Sequence, residues 1–181
     1  MSFTLPTDTS AITKDDLRRL TGVLLDDLQR TLRRCVDADV TFEPIDPLAE
    51  DRDAASPDQA NQAWTLGHIL AHVTASAEES AAVAAEPARG VAYHGRSRRE
   101  VPWETVTTLT QCRMRLEESR RMRLASLEMW PARPALENTY TPWEGAPTFN
   151  ALSCFYLGLR HEAGHLAQWR DVIGQARQWR W

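Results

Sequence analysis

Leucines recur along the first part of the chain at the spacing of a helical stripe. Leu17, Leu20, Leu24, Leu28, Leu32 and Cys35 fall three or four residues apart, while Arg18, Arg19, Asp26, Asp27, Arg30 and Arg33 fill the other face. That periodicity predicts a long amphipathic helix. Thr13-Lys14-Asp15-Asp16 marks its start, with a hydroxyl at the cap and acids in the first turn, and it ends near Asp37. A second helix is expected from 61–65 onward. It carries Trp64, His68, Ile69, Leu70, His72 and Val73, then an alanine-rich stretch to Glu86, and Pro87 and Gly90 end it. The third is expected from about Trp103 to Met129, with Val106, Leu109, Leu116, Leu124 and Leu127 as its buried stripe. The fourth is capped by Thr148 and stopped at Gly174, with Phe149, Leu152, Phe155, Tyr156, Leu159, Ala163, Leu166 and Ile173 on a broad apolar face.

Between these helices lie segments with loop chemistry. The stretch 39–61 holds Pro44, Pro47, Pro57 and many acids, 90–102 is a basic loop, and 130–147 has four prolines and Gly145. Within the last, 136–141 is expected to be briefly extended. Four long helices without alternating strands indicate an all-α fold, a four-helix bundle with long crossover loops and a single domain over 1–181.

Composition narrows the function classes. The net charge of −4 is spread along the chain and offers nucleic acid no basic surface. No apolar run approaches the ~20 residues of a membrane span, and Met1 to Ser10 is too polar for a signal peptide. Three scattered cysteines, Cys35, Cys112 and Cys154, argue against a disulfide framework and fit a reducing cytoplasm. Cys112 and Cys154 read as packing residues, with no histidine or helix start beside them.

The candidate chemistry lies in the histidines. His161-Glu162-Ala163-Gly164-His165 places two imidazoles four apart, one turn above each other on a helix, and also spells the H-E-x-x-H protease signature. A protease, another metal site and ordinary histidines all fit the five letters. Three features count against the protease. Gln168 stands where an extended motif needs glycine, the chain ends too soon for the rest of such a site, and no strand precedes the motif to hold a substrate. On a continuous helix Glu162 would also point about 100° away from His161. A second pair, His68 and His72, repeats the spacing on another helix. Facing helices of a bundle are where such sites are built, and neutral imidazole suits zinc, nickel, iron or copper. On the face of His161 and His165, Cys154, Gly158 and Gln168 are small or polar and would leave a cavity beside a metal.

Trp64-Thr65-Leu66-Gly67-His68-Ile69-Leu70-Ala71-His72-Val73 resembles the first metal-ligand segment of the DinB-like (YfiT-like) metalloenzyme superfamily. His161 to Gln168 resembles the second, with Ala167 in place of the usual glycine. The resemblance implies an up-down-down-up bundle, often a homodimer, with one divalent metal ion, commonly zinc or nickel, held by His72, His161 and His165. His68 sits one turn before the family's ligand position and reads as a packing histidine. Characterised relatives imply a low-molecular-weight-thiol S-transferase of the bacillithiol or mycothiol type, or a related hydrolase, with a small-molecule thiol and an electrophile as partners. A non-catalytic, stress-related metal-binding bundle is the alternative. Glu79 lies on the face of His72 and is expected to be an exposed acid or an orienter of the site. Arg113, Arg120 and Arg123 are candidates to meet the carboxylates of such a thiol, with most of them expected at the surface, and Trp130, Tyr140 and Trp143 are candidates to cap a ligand pocket.

Overall fold

Most of the long helices begin where a short polar side chain can take up the first free amides. In the computed structural model, which describes residues 4–6, 11–47, 49–50, 60–95 and 101–180, α1 spans Lys14–Thr31 behind a capping box of Thr13 and Asp16. A short helix α2 follows at Asp37–Val40. The Thr65 hydroxyl accepts from the His68 amide and starts α3, Leu66–Ala88. Thr108 with Gln111 starts α4, Leu109–Glu128, and Asn150 with Ser153 starts α5, Ala151–Gly164. The last helix, α6, runs Leu166–Trp179. The described residues contain no strand, and the fold is all-α. Pro57, the loop arginines Arg96, Arg98 and Arg99, and most of Met1 to Ser10 lie outside the described residues.

Helix α3 packs against α4 and α5, and α1 packs against the same two helices from the other side. The interior is filled by the expected stripes. Leu17, Leu24 and Leu28 of α1, Ile69 and Leu70 of α3, Leu116 of α4 and Phe155 and Leu159 of α5 are all buried. Polar pairs fix how the helices lie along one another. Arg18 of α1 meets Glu128 of α4 at 2.7 Å, and Gln29, at the other end of α1, donates to the Arg113 carbonyl at 3.2 Å. Arg115 of α4 pairs with Glu78 and donates to the Thr74 hydroxyl at 3.1 Å. The Trp169 indole of α6 donates to Thr31 of α1 at 2.7 Å.

Several boundaries differ from those expected. The first helix stops at Thr31 and tightens into a 3-10 turn, Leu32–Arg34. There the Val36 amide donates at 2.9 Å to Asp39, a buried carboxylate that also pairs with Arg180 at 3.0 Å, so the chain restarts as α2. Pro87 does not stop α3. In the last turn its missing amide removes a single helical bond, and the helix reaches Ala88. Trp103–Thr105 is a separate 3-10 turn, because Thr107 and Thr108 both donate their amides to Gln111 and set the helix start at Leu109. The fourth helix starts at Asn150 instead of Thr148. Just before it, Tyr140 and Phe149 form an isolated antiparallel bridge, which realises the extended segment at one residue pair. Gly174 stops nothing. The real interruption is at His165, between α5 and α6.

Candidate metal centre

The Thr65 cap sets the register of α3 so that His72 faces α5, and there the two helices come very close. Gly158 makes this possible. A Cβ at that position would lie 2.8 Å from the Ser80 Cβ and 3.0 Å from the Ala77 Cα. Gly158 is therefore an approach point between backbones and not the cavity wall that its small size suggested. Three residues beyond it, the His161 Nε2 lies 2.8 Å from the His72 Nε2. The break at His165 turns the third imidazole toward the same point. His72, His161 and His165 each bring one ring nitrogen into a group whose members all lie within 4.8 Å of one another.

The His165 ring has a defined tautomer. Its Nδ1 donates to the Gln168 Oε1 at 2.9 Å, since a carbonyl oxygen can only accept, and this leaves Nε2 with its lone pair. Burial pushes the His165 pKa below the ordinary histidine value of 6.5, against a smaller opposing effect of the Gln168 hydrogen bond; the nearby His72 lowers it further. The ring is therefore neutral at pH 7. Three imidazole nitrogens converging in this way are a donor set for a divalent transition metal, and the residues fit the ion that the sequence resemblance implies.

His68 stands apart from this group. Its ring is held between two indoles, with Trp64 at a centroid distance of 4.4 Å and 21° and Trp103 at 4.6 Å and 5°. Trp64 also stacks at 5.7 Å on His165, so one indole touches both the packing histidine and the cluster. The close seat of the Trp103 segment depends on Gly67, where a Cβ would come within 2.4 Å of the Val106 carbonyl oxygen.

A family model described as the DinB superfamily matches residues 20–169. The chain belongs to this superfamily. No curated protein and no solved structure matches it. The DinB superfamily includes metal-dependent enzymes, and the three-histidine cluster is where this DinB chain could hold a metal.

Glu162, the residue that suggested a protease, is fully buried and turned away from the cluster. Arg123 of α4, equally buried, reaches it with two nitrogens at 2.6 and 3.3 Å. Arg123 is thus no surface residue. Arg113 is exposed, and Arg120 pairs with the exposed Asp26 at 2.6 Å. Glu79 is not an exposed acid either. It is buried and lines a pocket of 240 Å³ whose wall also includes His161. Tyr140 and Trp143 line the same pocket, whereas Trp130 is buried against Phe155. Cys154 lines it too. Burial raises its pKa to about 11, and Cys112 is pushed up to about 12 by the same cause, so both stay thiols at neutral pH.

The tryptophan clamp and the Arg123–Glu162 pair had escaped the sequence. Trp64 carried a weak signal, four residues before His68. Gln168 carried another, one turn after His165, but read as a space-saving residue. Arg123 and Glu162 are 39 positions apart and no local pattern joins them.

Proposed function

We propose that this protein is a divalent-metal-dependent enzyme with His72, His161 and His165 as ligands, and that it transfers a low-molecular-weight thiol to an electrophile. The observation that carries this reading is that His161 belongs both to the three-histidine cluster and to the wall of the 240 Å³ pocket. A metal-binding group that touches a ligand-sized space suits chemistry better than storage or structural closure. When bound there, a zinc or nickel ion would keep its full charge beside three neutral imidazoles and act as a Lewis acid, lowering the pKa of a coordinated thiol or water. A related hydrolase would use the same site with water.

The chain's own residues supply the rest. His72 and His161 are held together by the α3–α5 contact at Gly158, and Gln168 keeps the His165 proton on Nδ1. Trp64 covers the cluster from one side and excludes water there. The pocket holds the second reactant next to His161. Neither Cys154 nor Glu162 takes part in bond making; one remains a thiol and the other is committed to Arg123.

The same proposal includes the arrangement of the chain. Contacts of Arg18 with Glu128, Arg115 with Thr74, and Trp169 with Thr31 support an up-down-down-up order within one domain. A cytoplasmic homodimer is the form in which we expect it to work. Among the described residues no helix is long and apolar enough to cross a membrane.

The test is a conjugation screen with bacillithiol, mycothiol, glutathione and cysteine against a chlorinated aromatic electrophile, using wild type and His165→Ala loaded with zinc or nickel. Turnover with at least one thiol that His165→Ala abolishes is the expected result. Equal turnover by both proteins rejects the mechanism.

A further inference from the structure

The pocket beside His161 has two unlike walls. One comes from the helices, where Ser76, Glu79 and Ser80 of α3 follow His72 at helical spacing and line the cavity together with Val83 and with Leu157 of α5. The other comes from the loops and is aromatic, with Tyr93 and Tyr140 stacked on each other at 4.3 Å and Trp143 beside them. Trp143 is 66% exposed, an uncovered indole at the rim of a cavity. The Tyr140 hydroxyl does not break this division, because it is turned to the Cys154 sulfur, to which it donates at 2.9 Å. At 240 Å³ the cavity is smaller than the about 300–1,000 Å³ of sites for drug-sized ligands, which leaves room for one ring.

We infer that the pocket binds a small, flat ring compound with hydrogen-bond donors along one edge. This rests on the reading of the pocket as the site of the second reactant, and names that reactant's class. The flat face lies against Trp143 and Tyr140, where aromatic rings are favoured by stacking and by removal of apolar surface from water. The donor edge, a hydroxyl or amine, faces Glu79 and the serines of α3. A substituent at the end of the ring then reaches His161. Phenol has the flat ring and the donor edge. Anisole keeps the ring and lacks the donor, and cyclohexanol keeps the hydroxyl and lacks the flat face.

Ligand-observed NMR titrations of the full chain with these three probes test the inference. Phenol is expected to bind at millimolar concentration, with anisole and cyclohexanol each at least about fivefold weaker. Trp143→Ala, a change at an exposed site, is expected to weaken phenol at least about fivefold, and Glu79→Gln to weaken phenol while leaving anisole unchanged. Zinc titration of the same samples separates this inference from the one it rests on. Phenol binding with this selectivity in a protein that takes up no zinc supports the pocket assignment and rejects the metal enzyme. No phenol binding by wild type, or equal affinity for phenol and cyclohexanol, or phenol affinity unchanged in both variants, overturns the inference.

Discussion

Gln168 and His165 show how much the proposed site depends on a residue outside the three-histidine cluster. The amide oxygen accepts a hydrogen bond from the Nδ1–H at 2.9 Å and so leaves Nε2 with its lone pair. Losing such a partner typically lowers metal affinity about 10–100-fold. Gln168→Ala should do so in a zinc competition titration, with the helical circular dichroism of wild type retained. Unchanged affinity would mean that the cluster orients His165 without help. The burial of His165 has its own consequence for pH. Its folded pKa is depressed below 6.5, so the unfolded chain takes up this proton first as pH falls. The stability that the neutral ring contributes is complete above the unfolded value and is lost as pH drops through the folded one. Urea unfolding of metal-free protein between pH 7 and pH 5 should show this decline, and His165→Asn should flatten it. At this scale the sequence was legible for the three histidines that cluster and not for their neighbours. Histidine spacing is local, whereas a buried Glu79 or a sandwiched His68 depends on what other helices bring.

Helices show a similar division. Apolar stripes announced the four long helices, because an amphipathic face follows from periodicity alone, but not the short α2 or the division of the last helix into α5 and α6. Their ends were less legible. Asp39 restarts the chain through a capping bond, and Gln111 sets the α4 start by accepting two loop amides. The break at His165 is a matter of packing between elements, with no proline to announce it. The contact of α3 with α5 is the element-level device that joins His72 to His161. Gly158→Ala would place a methyl 2.8 Å from the Ser80 Cβ. Overpacking of that kind costs about 1–3 kcal/mol. Chemical denaturation should show this loss, and zinc affinity should fall with it, because the strain lies between the two histidines' helices. A second device joins α4 to α5. Removing Arg123 leaves the Glu162 carboxylate buried without its cation, at a cost of about 3–5 kcal/mol, so Arg123→Met should be strongly destabilised. The double variant Arg123→Met/Glu162→Leu should recover much of that stability, since the remaining surfaces are apolar on both sides. Double-mutant analysis of urea midpoints would measure the recovery.

For the whole molecule the cluster makes a folding prediction as well as a chemical one. Its histidines come from α3, from α5 and from the residue between α5 and α6, and so the cluster exists only when those elements are assembled. A metal that binds only the folded chain stabilises it by mass action, about 2.7 kcal/mol at a hundredfold excess over Kd, or about 5–10 °C in Tm for a chain of this size. Thermal unfolding with and without zinc should show that shift in wild type and none in His72→Ala/His161→Ala/His165→Ala. Elemental analysis of protein purified without a histidine tag, after exposure to zinc or nickel and removal of free ion, tests the central claim most directly. About one equivalent of metal is expected in wild type and less than about a tenth in the triple variant. Less than about a tenth of an equivalent in wild type, or equal metal in both proteins, would contradict it.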